Sequence, residues 1–253
     1  MAILTRGNVN IYYEVYGSGP AVLLTNGYSA TTSMWKPNLE ALTQHYQLIL
    51  WDMRGHGQSD SPNDPYAYTE DLTVGDMDHL LDVCDAKQAI IGGLSLGGYM
   101  SLAYHLLHPE RTRALMLFDT GPGYKKDAAR AGWNKRAQAT AREYDTKGLD
   151  ALGRSAEVLA SNHRSAQGLA HAARGMLAQR DARVINSLES VKVPTLVLAG
   201  AKDEPFLAAT DYMAGKIPGA SKVLIPDAGH AANIDQPAAF NQAVLEFLVG
   251  VGM

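Results

Sequence analysis

Apolar runs of strand length alternate along this chain with longer stretches whose apolar residues recur at helical spacing. Val9 to Tyr16 alternates like a half-exposed strand, and Ala21 to Thr25 (AVLLT) reads as a buried one. Gln47 to Asp52, Ala89 to Gly92, Ala114 to Phe118, Thr195 to Ala199 and the shorter Lys222 to Ile225 read as further strands. Trp35 to Gln44, Thr69 to Val83 and Leu96 to Leu107 are predicted helices, the last stopped by proline at His108-Pro109. In the second of these, Leu72, Asp76, His79, Leu80 and Val83 fall at helical intervals. Pro237 to Leu248 predicts a closing helix with Phe240, Val244, Phe247 and Leu248 turned inward. This alternation is what a mostly parallel sheet covered by helices on both faces requires.

Between Phe118 and Thr195 lie about 70 residues with no strand pattern but much alanine, arginine and lysine. A structureless loop of that length is unusual in a compact domain, so the segment is expected to be a helical insertion. The expected organisation is an α/β core formed by residues 1–121 and 189–253, with a helical cap over residues 122–188. That cap holds twelve lysines and arginines against six acids, a net +6 in a chain of net −4. Most of these charges are expected to be solvated outer faces of the cap helices; the alternative is a positive lid over a negative body that attracts anionic substrates, with an arginine or two turned inward.

Composition narrows the function classes. With 46% hydrophobic and 19% charged residues the chain is ordinary globular material, and its slightly negative charge gives no reason to expect nucleic acid. No run approaches the roughly 20 apolar residues of a membrane helix, and the first residues lack a signal-peptide core, so a soluble, cytoplasmic protein is expected. Cys84 is the single cysteine, which excludes an intramolecular disulfide, and it reads as buried filler. No metal-ligand spacing and no glycine-rich phosphate loop is present, so no cofactor is implied. Whether copies of the chain associate as a homo-oligomer stays open.

The most informative residues are Gly93-Leu94-Ser95-Leu96-Gly97, followed by Gly98. They match G-x-S-x-G between a predicted strand and a predicted helix, where a sharp turn exposes the serine hydroxyl above the sheet. A serine in a strained turn needs glycines two before and two after it to avoid its neighbours. A serine hydroxyl is a weak nucleophile at neutral pH, so a base must take its proton and a third group must orient that base. His230, in Ala228-Gly229-His230 after the strand KVLIP, is the candidate base. Asp203, at the carboxyl end of the strand TLVLA, is the candidate acid, with Asp119 after ALMLF as its rival. Leu96, directly after the serine, should supply one backbone N–H of an oxyanion hole.

With the order serine, acid, histidine and the motifs GLSLGG, LAGAKDEP and DAGHAANIDQP, the chain resembles the α/β-hydrolase superfamily over nearly its whole length. WDMRGHGQSD (Trp51 to Asp60) is a further family-like segment, in which Arg54 and His56 are expected to fix a turn. The resemblance implies an α/β-hydrolase fold and a second oxyanion donor from the backbone of Tyr28. Relatives usually carry His-Gly where this chain has Asn26-Gly27. That asparagine, Ser33-Met34-Trp35 and Asn233-Ile234 resemble the 3-oxoadipate enol-lactonase group, which implies lactones or small carboxylate-bearing esters.

A serine at the elbow argues against the haloalkane dehalogenases and epoxide hydrolases of this fold, which use an aspartate nucleophile. Hydrolysis of a small-molecule carboxylic ester or lactone is the first expectation. Carbon-carbon hydrolysis of vinylogous diketones follows, then acyl transfer or perhydrolysis, and lastly a receptor that binds without turnover. Trp133, Met176 and Leu177 are the candidates for an apolar substrate lining.

Overall fold

The computed structural model describes residues 2–252; Met1 and Met253, at the outer ends of the expected core segments, lie outside it. Eight strands form one sheet in the order β1-β2-β4-β3-β5-β6-β7-β8. They are β1 (Ala2–Arg6), β2 (Val9–Tyr16), β3 (Ala21–Thr25), β4 (Gln47–Trp51), β5 (Ala89–Leu94), β6 (Thr112–Phe118), β7 (Thr195–Gly200) and β8 (Ser221–Ile225). Strands β1 and β2 pair antiparallel, as do β2 and β4, and every other neighbouring pair is parallel. The central strands β3, β5 and β7 are buried along their whole length, which is why they read as continuous apolar runs.

Side chains of the central strands alternate between two cores, as the pleat demands. Leu23, Ile91, Leu117 and Val197 face one, with Met77 of α2 (Glu70–Val83), Met100 of α3 (Leu96–Leu107) and Met213 of α8 (Glu204–Lys216). Leu24, Ile90, Met116 and Leu198 face the other, with Leu42 of α1 (Lys36–Leu42) and Phe240, Val244 and Leu248 of α10 (Pro237–Gly250).

Two expectations shift. Helix α2 buries Thr73, Val74, Met77, Leu80 and Leu81, while Val83 is exposed. The buried Asp76 joins that face because Arg54 reaches it with two hydrogen bonds, 2.6 and 2.8 Å long. Cys84, expected to be buried, is only half-buried at the end of that helix.

Between β6 and β7 the chain forms α4 (Asp127–Lys147), α5 (Ala156–Leu159), α6 (Ala166–Ala172), a single π-helical turn over Ala173–Leu177 and α7 (Arg183–Ser187), with no strand among them. Ala141 and Tyr144 of α4 pack on Leu169 and Ala170 of α6 in a small core of their own. Among the described residues no helix is long and apolar enough to cross a membrane.

Candidate active site

Four neighbouring parallel strands deliver the site from their carboxyl ends. Ser95 follows β5, Asp119 follows β6, Asp203 lies three residues past β7, and His230 follows β8. Ser95 has φ 55° and ψ −115°, a conformation non-glycine residues rarely adopt. The turn is held from both sides, because the Ser95 N–H donates to Phe118 O at 2.9 Å and Thr120 Oγ1 donates to Ser95 O at 2.5 Å. The elbow glycines are demanded by space: a Cβ on Gly97 would stand 2.1 Å from Thr25 O, and one on Gly93 would stand 2.5 Å from Gly97 C. Among the described residues nothing hydrogen-bonds the Ser95 Oγ, which is therefore free for an incoming group.

The chain segments that carry the two expected backbone donors adjoin the serine. Leu96 opens α3, where its N–H has no helical acceptor. Gly27, just before Tyr28, touches the elbow, so that a Cβ there would lie 3.6 Å from the Ser95 Cβ. The Tyr28 side chain is occupied elsewhere: its hydroxyl donates to Leu169 O at 2.8 Å and its ring packs edge-on to His56 and Tyr144. Asn26 anchors this loop from below, donating from Nδ2 to Trp51 O and accepting from Trp35 Nε1, each at 2.8 Å. Asn233 Nδ2 donates to Met34 O at 2.9 Å. The lactonase-like positions Asn26, Met34, Trp35 and Asn233 therefore brace the loop behind the serine from buried positions.

His230 Nδ1 bonds Asp203 Oδ2 at 2.8 Å. Asp203 is 5% exposed, and Lys202 N–H donates to Ala228 O to clamp its loop to the one bearing His230. Burial works to lower the imidazole pKa, but the hydrogen bond and charge of Asp203, with the charges of Asp119 and Glu157, carry it above the usual histidine value. The Phe206 ring packs on the imidazole with centroids 4.9 Å apart. Asp119 does not take the orienting position: its Oδ1 accepts the Gly200 N–H at 2.7 Å, and burial pushes its carboxyl up to about 8. His56 is buried beside the loop, its Nδ1 at 3.1 Å from Arg54 O, and burial lowers it to about 3.

Beside Ser95 and Leu96 opens a cavity of about 250 Å³, lined chiefly by Tyr99, Tyr124, Trp133, Leu177 and Phe206, with the Gln179 amide as a polar element. Trp133 and Leu177 line this cavity, and Trp133 Nε1 donates to Leu177 O at 2.7 Å to hold one against the other. Met176 does not line it; it is 1% exposed and buried in the main core. The reason is local: Gly175 lies tightly against Tyr68 O in the π-helical turn, which seats Met176 in the core and leaves its neighbour on the cavity side. Phe206, Tyr99 and Tyr124 were not legible as lining, because nothing in α8, α3 or the loop after β6 marks them apart from core aromatics.

Residues 22–243 match the model of the alpha/beta hydrolase family. The chain is 29% identical to 3-oxoadipate enol-lactonase 2 of Acinetobacter baylyi, over 95% of this chain and 94% of that one. Its structure resembles the enol-lactonase from Burkholderia xenovorans LB400, with TM-score 0.78, 27% identity, and 98% and 100% of the two chains covered. It also resembles a thermophilic esterase from Thermogutta terrifontis, with TM-score 0.83, 28% identity, and 99% and 97% covered. The chain belongs to the alpha/beta hydrolase family.

Proposed function

We propose that the protein is a cytoplasmic serine hydrolase that cleaves a small-molecule carboxylic ester or lactone through an acyl-enzyme on Ser95. The observation that carries this reading is the His230–Asp203 bond of 2.8 Å beside a strained serine whose hydroxyl is free. His230 takes the Ser95 proton as the hydroxyl attacks the substrate carbonyl, and Asp203 holds the ring in the tautomer with its proton on Nδ1. The Leu96 and Tyr28 N–H groups receive the oxyanion, each donor being worth about 10²-fold to 10³-fold in rate. Collapse expels the alcohol with the proton from His230, and water activated by the same imidazole then releases the acid. The 122–188 segment serves as the lid over this site, and Trp133 and Leu177 contact the acyl group.

The test is turnover of p-nitrophenyl butyrate and labelling by a fluorophosphonate. Ser95→Ala should keep the fold, lose nearly all turnover and lose the label. A fully active alanine variant, or a label on another residue, would overturn the reading.

A further inference from the structure

None of the twelve lysines and arginines in the 122–188 segment lines the cavity. Arg130 pairs with Asp127, Arg174 with Asp145, Arg180 with Asp71, and Arg183 with Glu70 and Asp181. The charge this segment does turn inward is negative. Glu157 on α5 is 5% exposed, its Oε1 accepts from Ser155 Oγ at 2.5 Å, and its Oε2 has no hydrogen-bond partner. No lysine, arginine or histidine among the described residues forms an ion pair with it.

Its position is fixed from two sides. Helix α5 packs on α9 (Ala232–Asp235), which begins two residues after His230. Ser161 Oγ donates to Glu157 O at 2.6 Å and accepts the Thr31 N–H at 2.9 Å, tying α5 to the loop that bears Tyr28. The packing of α5 on α9 therefore brings the segment bearing Glu157 to the loop of His230, and its charge acts on the imidazole in the same sense as that of Asp203.

We propose that Glu157 is a specificity-determining residue that restricts this hydrolase to esters or lactones whose leaving group is uncharged, disfavouring those with a carboxylate there. The inference rests on the ester or lactone reading above. The leaving group departs towards His230, which protonates it. An anion entering beside an uncompensated buried carboxylate meets like charge where water screens poorly, and no cation of the lid is there to receive it. The apolar cavity beside Ser95 and Leu96 takes the acyl chain.

The experiment compares kcat/KM for 3-(butyryloxy)benzoate and its neutral carboxamide isostere in the wild-type enzyme, Glu157→Gln and Glu157→Asp. Wild type should prefer the carboxamide by tenfold or more, at both 50 mM and 500 mM NaCl. Glu157→Gln should narrow that preference by about tenfold, Glu157→Asp should largely keep it, and the apparent pKa of kcat/KM should fall in the Gln variant alone. Equal rates on the two esters in wild type, or a ratio untouched by Glu157→Gln, would overturn the inference while leaving the hydrolase reading intact. Failure of both esters together with an unlabelled Ser95 would instead sink the hydrolase reading.

Discussion

The Phe206 ring lies 4.9 Å from the His230 imidazole, inclined at 30°, while it also forms part of the cavity wall beside Ser95. One side chain thus supports the base and bounds the acyl pocket. Phe206→Ala should enlarge the 250 Å³ cavity and loosen the imidazole at once. The optimum acyl chain of p-nitrophenyl esters should lengthen by two or more carbons, with kcat on the butyrate falling about tenfold. A chain-length profile of kcat/KM measures both, and an unchanged optimum would show that Phe206 does not limit the pocket.

The pH profile follows from the charges around His230. The base works only when neutral, and its pKa is raised above the usual 6.5. The rise of kcat/KM with pH should therefore be centred above 6.5, activity being lost as pH falls through that value. Asp203→Asn should cost about 10³-fold to 10⁴-fold by leaving the imidazole in the wrong tautomer.

Asp119 should respond in the opposite way. Its carboxyl titrates at about 8 in the folded protein against about 4 when unfolded, so from pH 4 to 8 the folded state holds a proton that the unfolded state has released. Stability attributable to Asp119 therefore falls as pH rises across that window. Asp119→Asn keeps the oxygen that accepts from Gly200 and needs no proton. Its Tm should exceed that of wild type by several degrees at pH 8, with the difference vanishing near pH 4, and activity should fall less than tenfold. Thermal melts at the two pH values check the sign.

The buried pair of Arg54 and Asp76 is a stability element remote from the serine. Their side chains are 5% and 0% exposed, and Arg6 adds a third charge at 2.7 Å. Arg54→Ala leaves the buried Asp76 carboxylate with Arg6, 24% exposed, as its remaining ion-pair partner, which should cost about 3–5 kcal/mol. Urea unfolding should show the loss, with kcat/KM of the surviving folded enzyme near that of wild type.

Strands and elbow were legible because burial on both faces writes itself as AVLLT, AIIGG and TLVLA, and because a strained serine turn admits only glycine at Gly93 and Gly97. Asp203 and His230 were legible from their places after the strands β7 and β8. Other features lie below sequence resolution. Glu157 is one more charged residue of a short helix, in SAEVLA, and its burial beside Val158 follows from the packing of α5, which local spacing does not show. Charge counting over the 122–188 segment does not show partners: only the structure pairs Arg174 with Asp145, Arg180 with Asp71 and Arg183 with Glu70. Of the adjacent pair Met176 and Leu177 only the second reaches the cavity, a separation set by a π-helical turn that breaks the ordinary 3.6-residue spacing.

The contrast between these two neighbours gives a paired test of where the pocket ends. Met176 is fully enclosed in the main core, so Met176→Ala should leave a void and cost about 2–5 kcal/mol of stability. Because the void opens on the far side of the turn from Ser95, the preferred acyl length should not change. Leu177 is half-buried with its side chain against the cavity, so Leu177→Ala removes wall and little core. Its stability loss should stay below that of Met176→Ala, while kcat/KM shifts towards longer or branched acyl groups. Chain-length profiles and urea midpoints on the two variants separate these outcomes. A shifted acyl preference in Met176→Ala with none in Leu177→Ala would return Met176 to the substrate lining.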